Sequence, residues 1–291
     1  MANERGKHID NTHLSIDQAE ARGFIHRDYI AHCLRWTHVA KWMGKPDNRK
    51  DCKLLDIGCG KDVPLARMLF TSRMASDGLV YVGMDYNKLE MPDAFKNTKW
   101  QPTLIGQSIF PETPTPHEKY NVITCFEVLE HVEPVHAFKM LQAFKQKLTE
   151  NGVAFISTPV YDAKVGAAAN HVNEMGYRTM QLMLALAGLD VDDHFGTFAS
   201  IKDYKDLVEK EDIDGVFQRL RDYYDTNYLA TILAPLYPHR ARNVLWRVKH
   251  APPLLTETAD YISELRSLTE DQFSSSKERQ PLFDHLEKTY G

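Results

Sequence analysis

The chain has 291 residues, 43% of them hydrophobic and 26% charged, which suits one large globular domain or a core domain with an appendage and excludes a wholly disordered polymer. With 35 Lys+Arg against 40 Asp+Glu the net charge is −5, so the molecule as a whole is not built to wrap a polyanion, although a local basic patch stays open. The longest apolar run, Leu182 to Leu189, falls far short of the roughly 20 residues that span a bilayer.

Residues 1–13 are polar and lack the apolar centre of a secretory signal. The cysteines at 33, 52, 59 and 125 have no C-x-x-C spacing, so neither a disulfide framework nor a thiolate zinc site is indicated. The expectation is a cytoplasmic protein with no membrane partner.

Residues 15–44 carry apolar and aromatic side chains at three- and four-residue steps (Phe24, Ile25, Tyr29, Cys33, Trp36, Val39, Ala40), which predicts a helix ended by Gly44-Lys45-Pro46. Strand and helix patterns then alternate: strands over 53–57, 79–84, 102–106, 120–126 and 152–157, and helices over 62–74, 87–96, 134–149 and 172–188. Strands apolar on both faces and separated by helices indicate a parallel sheet covered on both sides. Residues 189–199 read as an antiparallel strand pair closing that sheet, after which the strand signals stop and 201–291 reads as helical. The expected division is an N-terminal helical cap (1–45), a sheet domain (46–200) and a helical C-terminal region (201–291).

Ligands in such sheets bind beyond the carboxyl ends of the strands. After the first strand stands Asp56-Ile57-Gly58-Cys59-Gly60, two glycines that let the backbone turn and approach a ligand, followed by a helix N-terminus with unpaired N–H groups. The next strand ends in Asp85-Tyr86, and a carboxylate at that tip can accept both hydroxyls of a ribose, although Asp85 also reads as a helix cap. A dinucleotide loop wants a third glycine where this chain has Val63, and Asp56 would repel a pyrophosphate while suiting a cationic amine. These points favour S-adenosylmethionine over a nicotinamide cofactor.

At these residues the chain resembles the class I S-adenosylmethionine-dependent methyltransferases. The matching stretches, in family order, are Leu54 to Gly60, Val82 to Asp85, Tyr120 to Val132 and Gly152 to Pro159. The resemblance covers about residues 50–200 and implies an α/β fold: a Rossmann-like, mostly parallel seven-stranded sheet with helices on both faces, here with a C-terminal helical appendage. It further implies that Asp56, Gly58 and Gly60 surround the methionine end of the cofactor, Asp85 holds the ribose and Phe126 lies beside the adenosine, with Cys59 and Tyr86 next to them. Two positions depart from the family pattern. Asp62 stands at the usual third loop glycine, and no acid follows the third strand, where Gln107 or Ser108 stands instead; Gln107 retains the means to hydrogen-bond adenine.

After the fourth strand, Glu127, Glu130 and His131 are spaced to share one face of a helical turn. Two adjacent carboxylates repel unless a proton or cation separates them, and with an imidazole they form a partial metal shell. His171, before Glu174 at a predicted helix start, is placed to complete it. Here the chain resembles the Hen-type small-RNA 2′-O-methyltransferases, and in the first part of the motif the ubiquinone-biosynthesis O-methyltransferases. The resemblance implies a metal held by Glu127, Glu130, His131 and His171, with manganese, iron, cobalt or zinc better matched to the mixed ligands than magnesium. The same motif also occurs in class I methyltransferases that use no metal. Three uses therefore stay open: metal binding, an acceptor site with His131 or His171 as general base, and a structural role.

Arg240, Arg242, Arg247 and Lys249 surround Trp246, a pattern read first as a solvated helix with Trp246 in the core and second as a nucleic-acid grip. Arg27 or Tyr29 on the N-terminal helix is a second-choice partner for the cofactor carboxylate, after plain packing of that helix. The function expected is methyl transfer to a hydroxyl of a nucleic acid, nucleotide or small molecule. The alternatives are metal-independent N- or C-methylation and an inactive binding module.

Overall fold

The computed structural model describes residues 27–45, 51–71, 78–196, 219, 223, 234–252 and 257–290. Among the described residues seven strands form one sheet: β1 (Lys53–Ile57), β2 (Val80–Met84), β3 (Thr103–Ile105), β4 (Tyr120–Phe126), β5 (Leu148–Pro159), β6 (Leu189–Gly196) and β7 (Asn243–His250). Their order is β3-β2-β1-β4-β5-β7-β6. The first five are parallel, and β7 runs antiparallel between β5 and β6. The strand order reverses between β1 and β4, whose pairing brings Ile57 beside Cys125, while β1 and β2 bring Ile57 beside Met84. That reversal opens a crevice at the carboxyl ends of three neighbouring strands.

One face of the sheet is covered by α1 (Arg27–Met43) and α2 (Pro64–Thr71), with the short α3 (Asp93–Lys96) beside them. The other face carries α4 (Pro134–Lys147), α5 (Tyr177–Leu186), α6 (Thr258–Ser267) and α8 (Gln280–Tyr290), with the short α7 (Glu270–Phe273) preceding α8. Helix α4 shows why: Pro134 begins it where a missing N–H costs nothing, Ala137, Phe138, Leu141 and Phe144 fall on one buried stripe, and Lys145 and Lys147 close it at the negative end of the helix dipole. Each of those larger side chains contributes about 1.5–3 kcal/mol by leaving water.

The expected alternation of strands and helices is present, with differences that have physical causes. Helix 87–96 contracts to Asp93–Lys96, because the Asp85 side chain accepts from the N–H of Asn87 and ties the chain into a turn. Helix 172–188 begins only at Tyr177, since residues 172–176 are fastened as a loop between two neighbouring segments. The pair expected within 189–199 is one strand, β6, whose antiparallel partner lies far downstream. Strands do not stop after residue 200: the Arg/Lys-flanked stretch around Trp246, expected as a helix, is β7, with Trp246 buried opposite Ile156 of β5 and His194 of β6. The start of the N-terminal helix, residues 15–26, and most of 197–233 lie outside the described residues. Among the described residues no helix is long and apolar enough to cross a membrane.

Candidate active site

A cavity of about 1430 Å³ opens at the carboxyl ends of β1, β2 and β4, lined by the loop Asp56–Asp62, by Met84–Asn87, by Ser108–Phe110, by Phe126–Val128 and by His131–Glu133. His32, Cys33, Trp36 and Thr37 of α1 and Arg67, Met68 and Thr71 of α2 complete its wall. Its volume exceeds the roughly 300–1,000 Å³ of a single-ligand pocket.

The loop after β1 is shaped by the β2 tip. The N–H groups of Gly58 and Cys59 both donate to the Met84 carbonyl at 2.8 and 3.1 Å. Gly58 and Gly60 have φ of +71° and +69°, the left-handed region, and a Cβ on Gly58 would lie 2.3 Å from a methyl of Val128. Only glycine lets the loop pass that close to the β4 turn. The Gly60 N–H donates to Asp85 Oδ2 at 2.9 Å, so the two predicted cofactor segments are joined directly.

Asp56 and Asp85 both line the cavity. Asp56 is buried, accepts from Thr124 Oγ1 at 2.7 Å and from the Tyr81 hydroxyl, and burial pushes its carboxyl up to about 6 against the pull of those two donors. Asp85 accepts at Oδ1 from the Asn87 N–H at 2.8 Å and from Asn87 Nδ2 at 2.9 Å. Tyr86, 78% exposed, presents its ring at the mouth, and Phe126 and Ser108 are also in the wall. Gln107 is not among the lining residues; its backbone, at φ +52°, donates to the Asn87 carbonyl, and Ser108 takes the inward position. Cys59 and Cys125 are buried, and desolvation raises both thiols, which fits small apolar residues and not nucleophiles.

The expected four-residue ligand set divides. Glu127 leaves β4 at φ +55° instead of starting a helical turn. Its carboxylate is taken by Ser157 Oγ at 2.9 Å, Asn243 Nδ2 at 2.6 Å and the buried Arg35 guanidinium of α1 at 3.1 Å. With those donors in place Glu127 acts as a structural hub between α1, β5 and β7 and does not join the histidines. Arg35 also reaches His32 Nδ1 at 3.3 Å, and burial together with that cation pulls His32 down to about 3.

Glu130, His131 and His171 do come together, with candidate ligand atoms all within 4.8 Å of one another. Glu130 and His131 sit in a single 3₁₀ turn, Leu129–His131, and the ring centres of His131 and His171 are 4.7 Å apart. Glu130 is fully buried, and among the described residues neither of its oxygens has a hydrogen-bond partner. Burial first, then the Glu127 charge, raises its pKa well above the usual carboxylate range. His131 Nδ1 meets the Asn170 carbonyl at 3.0 Å, and His171 Nδ1 meets Glu174 Oε1 at 2.6 Å. A carbonyl oxygen only accepts, so His131 carries its proton on Nδ1 and its lone pair on Nε2. Of the three, only His131 lines the cavity.

Sequence reasoning missed Arg35, Tyr81, Thr124, Asn243 and Glu174. Arg35 left no trace, since its helical neighbours Ala31, His32, His38 and Val39 mix polar and apolar side chains.

Residues 26–215 match the family model described as "Methyltransferase domain". The chain is 32% identical over 113 residues to a ubiquinone biosynthesis O-methyltransferase of Glaesserella parasuis (36% of this chain, 44% of that protein). It is 31% identical over 135 residues to the protein of the same name from Histophilus somni (44% and 53%). The chain thus spans about half the length of these curated relatives. Among solved structures it is similar to the magnesium protoporphyrin IX methyltransferase of Synechocystis with bound S-adenosylhomocysteine, at TM-score 0.49 and 13% identity, covering 82% of this chain and 89% of that one. A second is a Burkholderia thailandensis 1,6-didemethyltoxoflavin-N1-methyltransferase, at TM-score 0.47 and 10% identity, covering 76% and 79%.

Proposed function

The chain belongs to the methyltransferase-domain family, and from that premise we propose that it moves a methyl group from S-adenosylmethionine to an acceptor hydroxyl in the cavity above β1, β2 and β4. The observation that carries the reading is the joining of Asp56 and Asp85 in one cavity wall across the Gly58–Gly60 loop. Asp85 is set to accept from ribose hydroxyls, with Tyr86 and Phe126 beside the adenosyl group and Asp56 toward the methionine end. A methyl on a sulfonium is already activated, so the protein's main task is alignment of nucleophile and methyl. Transfer to oxygen is supported by the curated relatives' names, O-methyltransferases. The size of the cavity and its cover by Trp36 and Met68 favour a compact acceptor with an apolar body over a nucleic-acid strand.

His131 is the group placed to meet the acceptor. His131 is exposed toward the cavity, yet partial desolvation by its neighbours lowers its pKa, keeping the ring neutral near pH 7; with no cation on it, Nε2 is free to take the hydroxyl proton. As the alternative to His131 acting as the base, we propose a divalent cation on Glu130, His131 and His171, which would occupy the same Nε2 lone pair. The donor set fits: a buried carboxylate without any hydrogen-bond partner beside two imidazoles is costly unless a cation or proton compensates it. Two nitrogens and one oxygen match manganese, iron, cobalt or zinc better than magnesium. Such an ion, when bound, lowers the pKa of a hydroxyl beside it.

Calorimetric titration with S-adenosylhomocysteine, followed by assays with methyl-labelled cofactor against separate pools of phenolic metabolites, nucleotides, RNA and DNA, tests the reading. Product binding and labelling of a hydroxylated small molecule are expected. No binding of either cofactor form overturns it, and labelling of RNA or DNA alone overturns the compact acceptor. Metal analysis of the purified protein, with full activity in chelator and no retained metal, removes the cation; full activity of His131→Ala removes the base.

A further inference from the structure

Three consecutive serines near the C-terminus, Ser274, Ser275 and Ser276, each bond a different part of the site's surroundings. Ser275 pairs with both backbone groups of Glu174: its Oγ accepts the Glu174 N–H at 2.8 Å and its own N–H donates to the Glu174 carbonyl at 2.9 Å. Ser274 Oγ donates to Asn173 Oδ1 at 2.6 Å, a bond between fully buried side chains. Ser276 Oγ donates to Glu133 Oε2 at 2.9 Å, and Glu133 lines the cavity. The neighbouring residues continue the zipper: the Gly176 N–H donates to the Phe273 carbonyl at 2.9 Å, and Thr179 Oγ1 donates to the Gln272 carbonyl at 2.7 Å. A Cβ on Gly176 would lie 2.1 Å from the Gln272 carbonyl oxygen, so this strap approaches as closely as a backbone can.

The loop it grips is the one bearing His171. On the far side the N–H groups of Val172 and Asn173 both donate to the Glu130 carbonyl, at 2.9 and 3.0 Å, and Asn173 Nδ2 reaches the Leu129 carbonyl at 3.3 Å. Residues 172–176 are thus clamped between the Glu130 turn and the C-terminal strap. Within the clamp, Glu174 Oε1 accepts from the Ala168 N–H at 2.9 Å and meets His171 Nδ1 at 2.6 Å. A carboxylate accepting from Nδ1–H fixes the tautomer and leaves the lone pair on Nε2, as the Asn170 carbonyl does for His131.

We propose that Ser274 and Ser275 are positioning residues of the methyl-transfer site: by holding Asn173 and Glu174 they make Glu174 the fixed acceptor that orients His171 toward Glu130 and His131. This rests on the reading of those three residues as a cation site, and it lies outside the 26–215 match to the family model. It gives the tail a role in the chemistry beyond covering the sheet.

The test uses the full chain, ¹⁵N-labelled, with Co²⁺ as probe. Imidazole ¹H–¹⁵N spectra report the His171 tautomer without any metal; calorimetry reports Co²⁺ and, separately, S-adenosylhomocysteine. For Ser275→Ala and for Ser274→Ala, His171 is expected to lose its single Nδ1–H tautomer. Co²⁺ affinity is expected to fall about 10–100-fold, the range for partners that orient a metal ligand, while product affinity stays within about twofold. Ser275→Thr, which keeps the hydroxyl, restores both, and Glu174→Ala, which removes the acceptor at Nδ1 and keeps the backbone pairing with Ser275, reproduces the tautomer change. Unchanged His171 spectra in both serine variants overturn the proposal, as does a parallel loss of product binding, which marks general damage. If the wild type takes up no Co²⁺ yet the tautomer responds as described, the cation reading falls and the positioning stands. If Co²⁺ binds wild type and variants alike, the positioning falls and the cation reading stands.

Discussion

Asp56→Asn isolates the cost of one buried carboxyl. In the folded protein Asp56 gives up its proton near pH 6, against an ordinary value of 3.8, because burial outweighs the hydroxyls of Tyr81 and Thr124. The folded state therefore binds more protons than the unfolded chain between about pH 4 and 6, and stability falls as pH rises through that window. Below it Asp56 costs nothing; above it the full cost is about 3 kcal/mol, from 1.36 kcal/mol for each unit between 3.8 and 6. Asparagine cannot ionise, and both hydroxyl partners can turn to accept from its NH₂. Urea unfolding of wild type and variant at pH 4, 5, 6 and 7 should show the variant gaining about 2.4 kcal/mol on the wild type from the first pH to the last, since at pH 4 the unfolded carboxyl is already more than half ionised. A difference constant to within about 1 kcal/mol across that range would refute the assignment of a raised, buried Asp56.

Asp85→Ala removes the acceptor for ribose and for the Gly60 N–H, and S-adenosylhomocysteine affinity by calorimetry should fall at least about tenfold, from a charged hydrogen bond of about 1.5–3 kcal/mol. Gly58→Ala places a methyl 2.3 Å from Val128 at a φ of +71°; left-handed strain of about 1–2 kcal/mol plus the clash should lower the thermal midpoint by several degrees and weaken product binding. Arg35→Met strands the Glu127 carboxylate, which still keeps Ser157 and Asn243, so a loss of about 3 kcal/mol is expected in urea unfolding, and the added change Glu127→Gln should recover most of it. No loss from Arg35→Met would show the pair to be idle.

What could be read from the residues was whatever is decided locally. Strands β1 and β4 are apolar runs bounded by turn-formers, and the Gly58–Gly60 loop shows in the sequence because only glycine tolerates its backbone there. Strand β7 was illegible for the opposite reason. Val244, Leu245, Trp246 and Val248 among basic residues suit a helix as well as a strand, and the open edge of β5 decides between them from 90 residues away in sequence. Glu127, Glu130 and His131 have helical spacing, yet Arg35, Ser157 and Asn243 converge on Glu127 from three separate segments and hold it in a left-handed backbone. The pairing of Glu174 with Ser275 spans 101 positions and leaves no mark on either residue type.

The position of β7 between β5 and β6 also sets an order of events at the ribosome. When β6 has emerged, its seat in the sheet does not yet exist, since among the described residues its one strand partner is β7. Until residue 250 is made, β5 therefore presents an unpaired row of backbone donors and acceptors to solvent or to a chaperone. A gene fragment ending at residue 200, which the pattern of strands alone would recommend as a minimal domain, leaves that row open for good and should be recovered from inclusion bodies.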